Sequence, residues 1–358
     1  MKLLIITQKV DINDPILGFF HRWIEEFSRR YESLVVICLQ KGAYNLPGGV
    51  RVFSLGKEHK ELGIKNSAVW KKVTYVWNFY RLIWRERHGY DAVFVHMNQE
   101  YVLFGGLLWR ALGKRILLWR NHMQGSFLTC ISVWLSHQVF FTSPQSFTAR
   151  FRNAHQMPVG IDTRFFRPDV TVSKKENSIL FLGRIAPVKR IEIFIEALNS
   201  LKKEGIDFHA AIIGSALESG AEYQDMLHRK TKEYGLEKVV RFRGAVKQSE
   251  ALRLYNEYEI FVNMTPSGSL DKTIFEAMAC GSLILTGNSA FMNIVSYELK
   301  NKITYKEMDS ADLARKIEEL FKIPSFKKES IRKTLQEIAV NVHSLDMLMA
   351  RLAEVMGA

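Results

Sequence analysis

The residues best suited to chemistry stand in two clusters in the second half of the chain. In the first, the apolar run Ile179–Leu182 meets Gly183-Arg184-Ile-Ala-Pro-Val-Lys189-Arg190, and a helical pattern begins at Ile191. A glycine at a strand end permits close backbone approach, and the N-terminus of a following helix favours anions. Arg184 and Lys189 flank that turn and suit a diphosphate; the alternative is an ordinary basic surface loop. The second cluster runs Asn263-Met-Thr-Pro266-Ser267-Gly268-Ser269-Leu270-Asp271-Lys272-Thr273-Ile274-Phe-Glu276 and closes at Gly281. Its small polar loop and the helix expected from about Thr273 make a second anion site. Glu276, one turn into that helix, is placed to accept hydrogen bonds from vicinal hydroxyls, with a helix-dipole or capping role as the alternative.

The first half offers a loop and two histidines. The loop runs Lys9-Val-Asp11-Ile-Asn13-Asp14-Pro-Ile-Leu-Gly18, with Gly18 at the expected start of a helix. Asp11 and Asp14 do not form an Asp-x-Asp metal motif, and capping of the helix is their expected role, with acceptor hydroxyls as the alternative. No metal site is expected. His96 ends the strand-like run Ala92–His96 and His122 follows the run Ile116–Trp119, and a packed or capping histidine is the alternative at His96.

Strand-like runs must position these groups. Besides those named, they are Leu3–Thr7, Leu34–Leu39, Val139–Thr142, His209–Ile213, Val239–Arg243, Ile260–Met264 and Leu283–Thr286. Short, β-branched apolar runs suit strands buried on both faces, as in parallel sheets. Amphipathic stretches such as Gly18–Tyr31, Ile191–Glu204 and Tyr223–Tyr234 alternate with them, which predicts an α/β fold of two doubly wound, Rossmann-like domains. The rhythm restarts after Gly160-Ile161-Asp162, so the domains are expected at 1–165 and 166–335. The pattern from Leu345 to Met356 predicts a terminal helix, within 336–358, packed on another element.

The chain has 358 residues and a formal net charge of +13. Residues 1–165 hold 22 Lys and Arg against 11 Asp and Glu, whereas residues 166–358 hold 28 against 26. All seven Trp also lie in the first part, at 23, 70, 77, 84, 109, 119 and 134. Such a surplus points to an anionic partner, and no recognisable nucleic-acid module organises it. Trp70, Val73, Trp77, Tyr80 and Trp84 share one helical stripe, while Lys71, Lys72, Asn78, Arg81 and Arg85 lie around other faces. Two readings stand: a helix buried on the first sheet, or a face that leans on an anionic membrane. The uncharged stretch Met123–Ala149 is interrupted by polar residues and reads as a helix and a buried strand rather than a membrane span. Three scattered cysteines and an opening run too short for a signal peptide predict a cytoplasmic protein, membrane-associated at the inner face if the second reading of the stripe holds.

The succession Gly183-Arg184-x4-Lys189, Gly244-Ala-Val246 and Pro266-Ser267 through Glu276-Ala-Met-Ala-Cys-Gly281 resembles glycosyltransferase family 4, the group 1 glycosyl transferases of GT-B fold. The resemblance implies two Rossmann-like domains facing across a cleft, the first taking the acceptor and the second a nucleotide-sugar donor, with the terminal helix packing back toward the first domain. It implies a metal-independent, retaining transfer that needs no cofactor, to a glycan or lipid-linked hydroxyl. Arg184 and Lys189 then meet the donor diphosphate, Glu276 holds the ribose, and the segment at Val246 meets the nucleobase. Gly18 and Gly183 match close approaches to the donor, and His122 matches a strand-end histidine that reaches the transferred sugar. The loop Ser267, Gly268, Ser269, Asp271, Lys272, Thr273 and Ile274 corresponds to the sugar-binding loop. There the chain departs from the family: the first Glu of a Glu-x7-Glu motif falls at Gly268. Asp271 or Lys272 is expected to take over part of its contact. A catalytically silent sugar-nucleotide-binding protein, or an epimerase or phosphorylase of the same fold, is the alternative function.

Overall fold

The computed structural model describes residues 1–14, 16–58, 68–216 and 220–357. Pro15, within the loop that precedes the first helix, lies outside them. The chain forms two compact units: Met1–Met157 with the chain from Met349 onward, and Pro158–Leu348.

Strands of the first unit are β1 (Lys2–Val10), β2 (Ser33–Lys41), β3 (Val50–Ser54), β4 (Ala92–His96), β5 (Arg115–Trp119), β6 (Gln138–Phe141) and β7 (Ala154–Gln156). Among the described residues they form one parallel sheet in the order β3-β2-β1-β4-β5-β6-β7. The helices between them are α1 (Phe19–Ser28), α2 (Ala68–Arg85), α3 (Glu100–Ala111) and α4 (Phe127–Leu135). Side chains alternate across a strand, so each sheet face collects every second residue. Leu4, Ile6, Val93, Val95 and Leu118 pack on one face with Phe79 and Ile83 of α2, Trp109 of α3 and Val133 of α4. On the other face, Phe27 of α1 meets Phe94 with ring centroids 5.3 Å apart, and Trp23 meets Trp119 edge-on at 4.9 Å.

α2 therefore does pack on the sheet, but not by its tryptophan stripe. Phe79, Leu82 and Ile83 supply the buried side, whereas Trp70, Val73, Trp77, Tyr80 and Trp84 are exposed. This corrects the buried reading of the stripe. The uncharged stretch Met123–Ala149 forms α4 and β6, as expected, and no helix among the described residues is long and apolar enough to cross a membrane.

The second unit holds β8 (Lys175–Leu182), β9 (His209–Ile213), β10 (Val240–Arg243), β11 (Tyr258–Asn263) and β12 (Leu283–Thr286). Among the described residues these are parallel in the order β10-β9-β8-β11-β12. Its helices are α5 (Ile191–Lys203), α6 (Ala221–Glu233), α7 (Gln248–Glu257), α8 (Lys272–Ala279), α9 (Tyr297–Ile303), α10 (Ser310–Lys322) and α11 (Ser325–Asn341). Their apolar faces share one core with the strands, including Phe194, Ile212, Phe261, Phe275 and Leu335.

The chain crosses between units twice, and the two crossings are paired within the second. Gly160 N–H and Ile161 N–H donate to His343 O at 3.0 and 2.9 Å, and Leu345 N–H donates to Ile161 O at 2.7 Å. Gly160 has φ +75°, a backbone conformation that favours glycine. A last helix, α12 (Leu345–Met356), then returns to the first unit, where Tyr31 Oη donates to Met356 Sδ at 3.5 Å and Gln138 Nε2 to Val355 O at 2.5 Å.

Candidate functional site

The strand order of the second unit reverses between β8 and β11. Connections leaving those strands diverge to opposite faces of the sheet and open a crevice at the strands' carboxyl ends. Both sequence clusters lie there.

Lys189 ties the two loops together. It sits in a short 3-10 turn, Pro187–Lys189, that Arg190 ends at φ +49°. Lys189 Nζ donates to Thr265 Oγ1 and Asp271 Oδ2, each at 2.5 Å, and Thr265 Oγ1 donates to the same carboxylate oxygen at 2.5 Å. Asp271 Oδ1 accepts from Thr273 N–H at 3.2 Å, capping α8. Burial alone would raise the Asp271 pKa, but the Lys189 charge and these hydrogen bonds outweigh it and hold the carboxyl well below the usual range.

One turn along α8, the Glu276 carboxylate accepts from Tyr255 Oη at 3.2 Å. Burial, with the Asp271 charge adding to it, raises its pKa to about 7 against the opposing pull of Lys272. Lys272 itself turns to the crossing segment and donates to Val159 O at 2.7 Å and Gly160 O at 3.1 Å. Burial lowers its pKa to about 7. The structure thus pairs Asp271 with Lys189 and sets Lys272 on the crossing. Ile274 is buried in the core, while Thr273 Oγ1 accepts from Asn263 Nδ2 at 3.3 Å.

A carboxylate does stand beside Gly268, supplied from elsewhere in the chain. Glu307 accepts from Ser267 N–H at 3.3 and 3.4 Å and from Ser267 Oγ at 2.5 Å, and from Arg190 Nη1 at 3.3 Å. The backbone makes this approach possible. Thr304 bridges to Thr286 at the end of β12, and a Cβ on Gly287 would lie 3.1 Å from Glu307 Cα. Gly268 has φ +115°, which a side chain would strain. Asn288 Nδ2 fixes the rest of the loop by donating to Ser269 O at 2.7 Å and Pro266 O at 3.2 Å.

On the β9 and β10 side, Ser215 Oγ accepts from Ala245 N–H at 2.9 Å and fixes the segment that carries the half-buried Val246. Gly183 N–H donates to Ile213 O at 3.0 Å. Gly214 is the more constrained glycine: its Cβ would fall 1.9 Å from Gly183 O, so the two strand ends approach closely only because it has none. Arg184 is exposed at the end of β8. Sequence reading missed Tyr255, Thr265, Ser215, Asn288 and Glu307. A strand-end Gly-Ser at 214–215 was legible, but Asn288 and Glu307 come from segments with no motif of their own.

In the first unit, Gly18 is explained by its own loop. Its N–H donates to Asp14 O at 3.0 Å, and a Cβ there would lie 2.5 Å from that oxygen. Asp14 Oδ1 accepts from the N–H groups of Ile16 and Leu17, while Lys9 Nζ lies 2.7 Å from Asp14 Oδ2 and 3.2 Å from Asp11 Oδ2. His96 is buried, stacked on Phe20 at 3.8 Å between ring centroids, with Nδ1 3.2 Å from Thr7 Oγ1. His122 is exposed beyond β5; Gln124 N–H donates to its Nδ1 at 3.1 Å, and its carbonyl accepts from Phe147 N–H at 2.9 Å. Among the described residues no three His, Cys, Asp or Glu side chains group as metal ligands.

Comparison with known proteins agrees with these motifs. Residues 162–337 match the family described as glycosyl transferases, group 1. The D-inositol 3-phosphate glycosyltransferase of Streptomyces bingchenggensis is 26% identical over 153 residues, 42% of this chain and 34% of that protein. The chain thus spans 32–43% of the length of the curated relatives it matches. Among solved structures, Anabaena HepE in complex with UDP superposes over 100% of both chains with a TM-score of 0.79 at 18% identity. Sucrose-phosphate synthase from Thermosynechococcus elongatus gives 0.79 at 14% identity, covering 100% of this chain and 98% of that one. The fold is GT-B, with two Rossmann-like domains, and residues 162–337 belong to the group 1 glycosyl transferases.

Proposed function

We propose that the protein transfers a sugar from a nucleoside diphosphate donor to a hydroxyl acceptor, with retention at the anomeric carbon. In the reaction the bond between the anomeric carbon and the diphosphate oxygen breaks as the acceptor oxygen attacks from the same face. The acceptor proton passes to the departing diphosphate, so no protein nucleophile and no cofactor are required. The observation that carries this reading is Lys189, held by Thr265 and Asp271 where the loops after β8 and β11 meet. An ammonium fixed there, with Arg184 at the same strand end, meets charge building on a leaving diphosphate without a metal ion.

Other groups take roles consistent with this reading. Glu276 accepts from the ribose hydroxyls, and the backbone near Val246 meets the base. Glu307, beside Gly268, supplies the carboxylate of the sugar end, with Ser267 and Ser269 on the same loop. His122 serves the transferred sugar. A uracil base is the first to try, since Anabaena HepE was solved with UDP and with UDP-glucose. The acceptor is a glycan or lipid-linked hydroxyl.

Thermal-shift measurements across nucleoside diphosphates and their sugars, followed by transfer assays, test the proposal. A ligand that binds the folded state raises apparent stability by mass action. Binding with no turnover toward any acceptor or water would favour the silent sugar-nucleotide-binding alternative. Unchanged turnover in Lys189→Ala would remove the assignment of the diphosphate.

A further inference from the structure

The outer side of the first unit carries an apolar surface that its core does not use. Trp77 on α2, Leu107 on α3 and Trp134 on α4 are each 69% exposed. These helices adjoin one another. Tyr80 Oη donates to Phe104 O at 2.8 Å, joining α2 to α3, and Arg110 donates to Trp134 O at 2.9 Å and Leu135 O at 2.9 Å, joining α3 to α4. Phe104, Trp84 and Phe127 extend the same exposed set. Isolated apolar residues on a surface are ordinary, but one face shared by three helices needs a reason.

Its charge supplies one. α2 contains Lys71, Lys72 and Arg81 and no acidic residue, its Arg85 being paired with Glu86 at 2.9 Å, and no Asp or Glu occurs between Tyr101 and Ile161. Arg87 stacks over the Trp84 ring at 4.4 Å and Arg110 over Trp134 at 5.6 Å, which keeps guanidinium and indole together at the surface. Tryptophan and tyrosine ringed by basic side chains are suited to the headgroup region of a bilayer, where the rings lie in the apolar margin and the cations meet anionic lipid.

We propose that the α2–α3–α4 face docks on an anionic membrane surface, lying in the interface without crossing it. A second copy of the chain fits this face less well. A two-fold contact would set the basic ring of one copy against that of the other, and like charges brought together oppose association. The surface stands apart from the transfer reading, since it rests on exposed side chains of the first unit and its test needs no substrate.

The test is co-sedimentation of the full chain with vesicles of phosphatidylcholine alone or with phosphatidylglycerol, at low and high salt. Binding is expected to the anionic vesicles only, weakened by salt, with a blue shift of tryptophan emission. Lys71→Glu with Lys72→Glu should weaken it about thirtyfold or more, as expected for losing two cations near an anionic surface. Trp77→Ser with Trp134→Ser should weaken it similarly and reduce the blue shift. Because these side chains are exposed, unchanged melting temperatures show that the variants are folded. No binding to anionic vesicles, binding indifferent to both pairs of substitutions, or a dimer in solution that Trp77→Ser with Trp134→Ser dissolves would each overturn the proposal.

Discussion

Lys189 Nζ lies 2.5 Å from Asp271 Oδ2, so the cation assigned to the donor diphosphate is shared with a carboxylate that caps the neighbouring helix. That relationship separates two effects of mutation. Lys189→Ala leaves Asp271 charged, largely buried and without its cation, which should cost about 3 kcal/mol of stability. It should also weaken nucleoside diphosphate binding. Asp271→Asn removes the competitor for the ammonium, so it should lower stability while nucleoside diphosphate binds no more weakly than to wild type. Urea denaturation and titration calorimetry on both variants check the pair. Equal losses of affinity would show that Asp271 positions Lys189 rather than competing for it.

Glu307 gives a second prediction. Glu307→Gln keeps the shape and the contact with Ser267 but removes the charge next to Gly268. Sugar transfer should fall about tenfold or more, the usual scale for losing one electrostatic group at a reacting centre. Affinity for the free nucleoside diphosphate should change by less than about twofold. Restoring the family residue by Gly268→Glu should not rescue it. At φ +115° a side chain costs about 1–3 kcal/mol of strain, and the new carboxylate would meet the existing one. Competition binding with UDP, beside transfer rates, separates the sugar effect from the nucleotide effect.

The ribose role proposed for Glu276 predicts that nucleotide binding depends on pH. Its folded pKa is raised from 4.5 to about 7, chiefly by burial, and a ribose-holding carboxylate must be ionised to accept two hydroxyls. Affinity for nucleoside diphosphate should therefore weaken as pH falls below about 7, and Glu276→Gln should flatten that dependence. Stability runs the other way. A raised folded pKa favours the fold below the unfolded value, and the contribution is lost as pH rises through about 7. Glu276→Gln should thus match wild type near pH 4 and exceed it by about 1–3 kcal/mol at pH 8.

These assignments show what the sequence made legible. Strands β4, β9 and β12 fall where their apolar runs end, because a strand covered on both faces writes its whole length in hydrophobic residues. The two edges of the first sheet, β3 and β7, carry no such run: Val50–Ser54 is at most half-buried and Ala154–Gln156 has three residues. Edge strands leave one side to solvent, so their composition says little. In the site, Lys189 and Glu276 were legible because each sits at a fixed distance from a strand-end loop. Glu307 was not, since only the pairing of Thr304 with Thr286 brings it to Ser267. The stripe on α2 shows the limit of periodicity. Spacing says which residues share a face of a helix, and the second stripe, Phe79, Leu82 and Ile83, decides which face meets the sheet.

The paired crossings give the last prediction, through His343. Its Nδ1 accepts from Val159 N–H at 3.4 Å, its ring packs on Phe275 at 4.5 Å between centroids, and burial lowers its pKa from 6.5 to about 4. A neutral ring is needed, since a protonated Nδ1 cannot accept from Val159. With a folded pKa below the unfolded one, the contribution to stability is present above pH 6.5 and lost as pH falls toward 4. The shift corresponds to about 3 kcal/mol. His343→Gln keeps an acceptor at this place and does not titrate, so its unfolding free energy should fall less steeply over that range. Urea denaturation at pH 6.5, 5 and 4 measures the difference in slope. Hydrogen exchange should localise it, because Gly160 and Ile161 donate to the His343 carbonyl and would open with it. Parallel slopes for the two proteins would mean that the acid sensitivity of the fold lies in its carboxylates and not at this crossing.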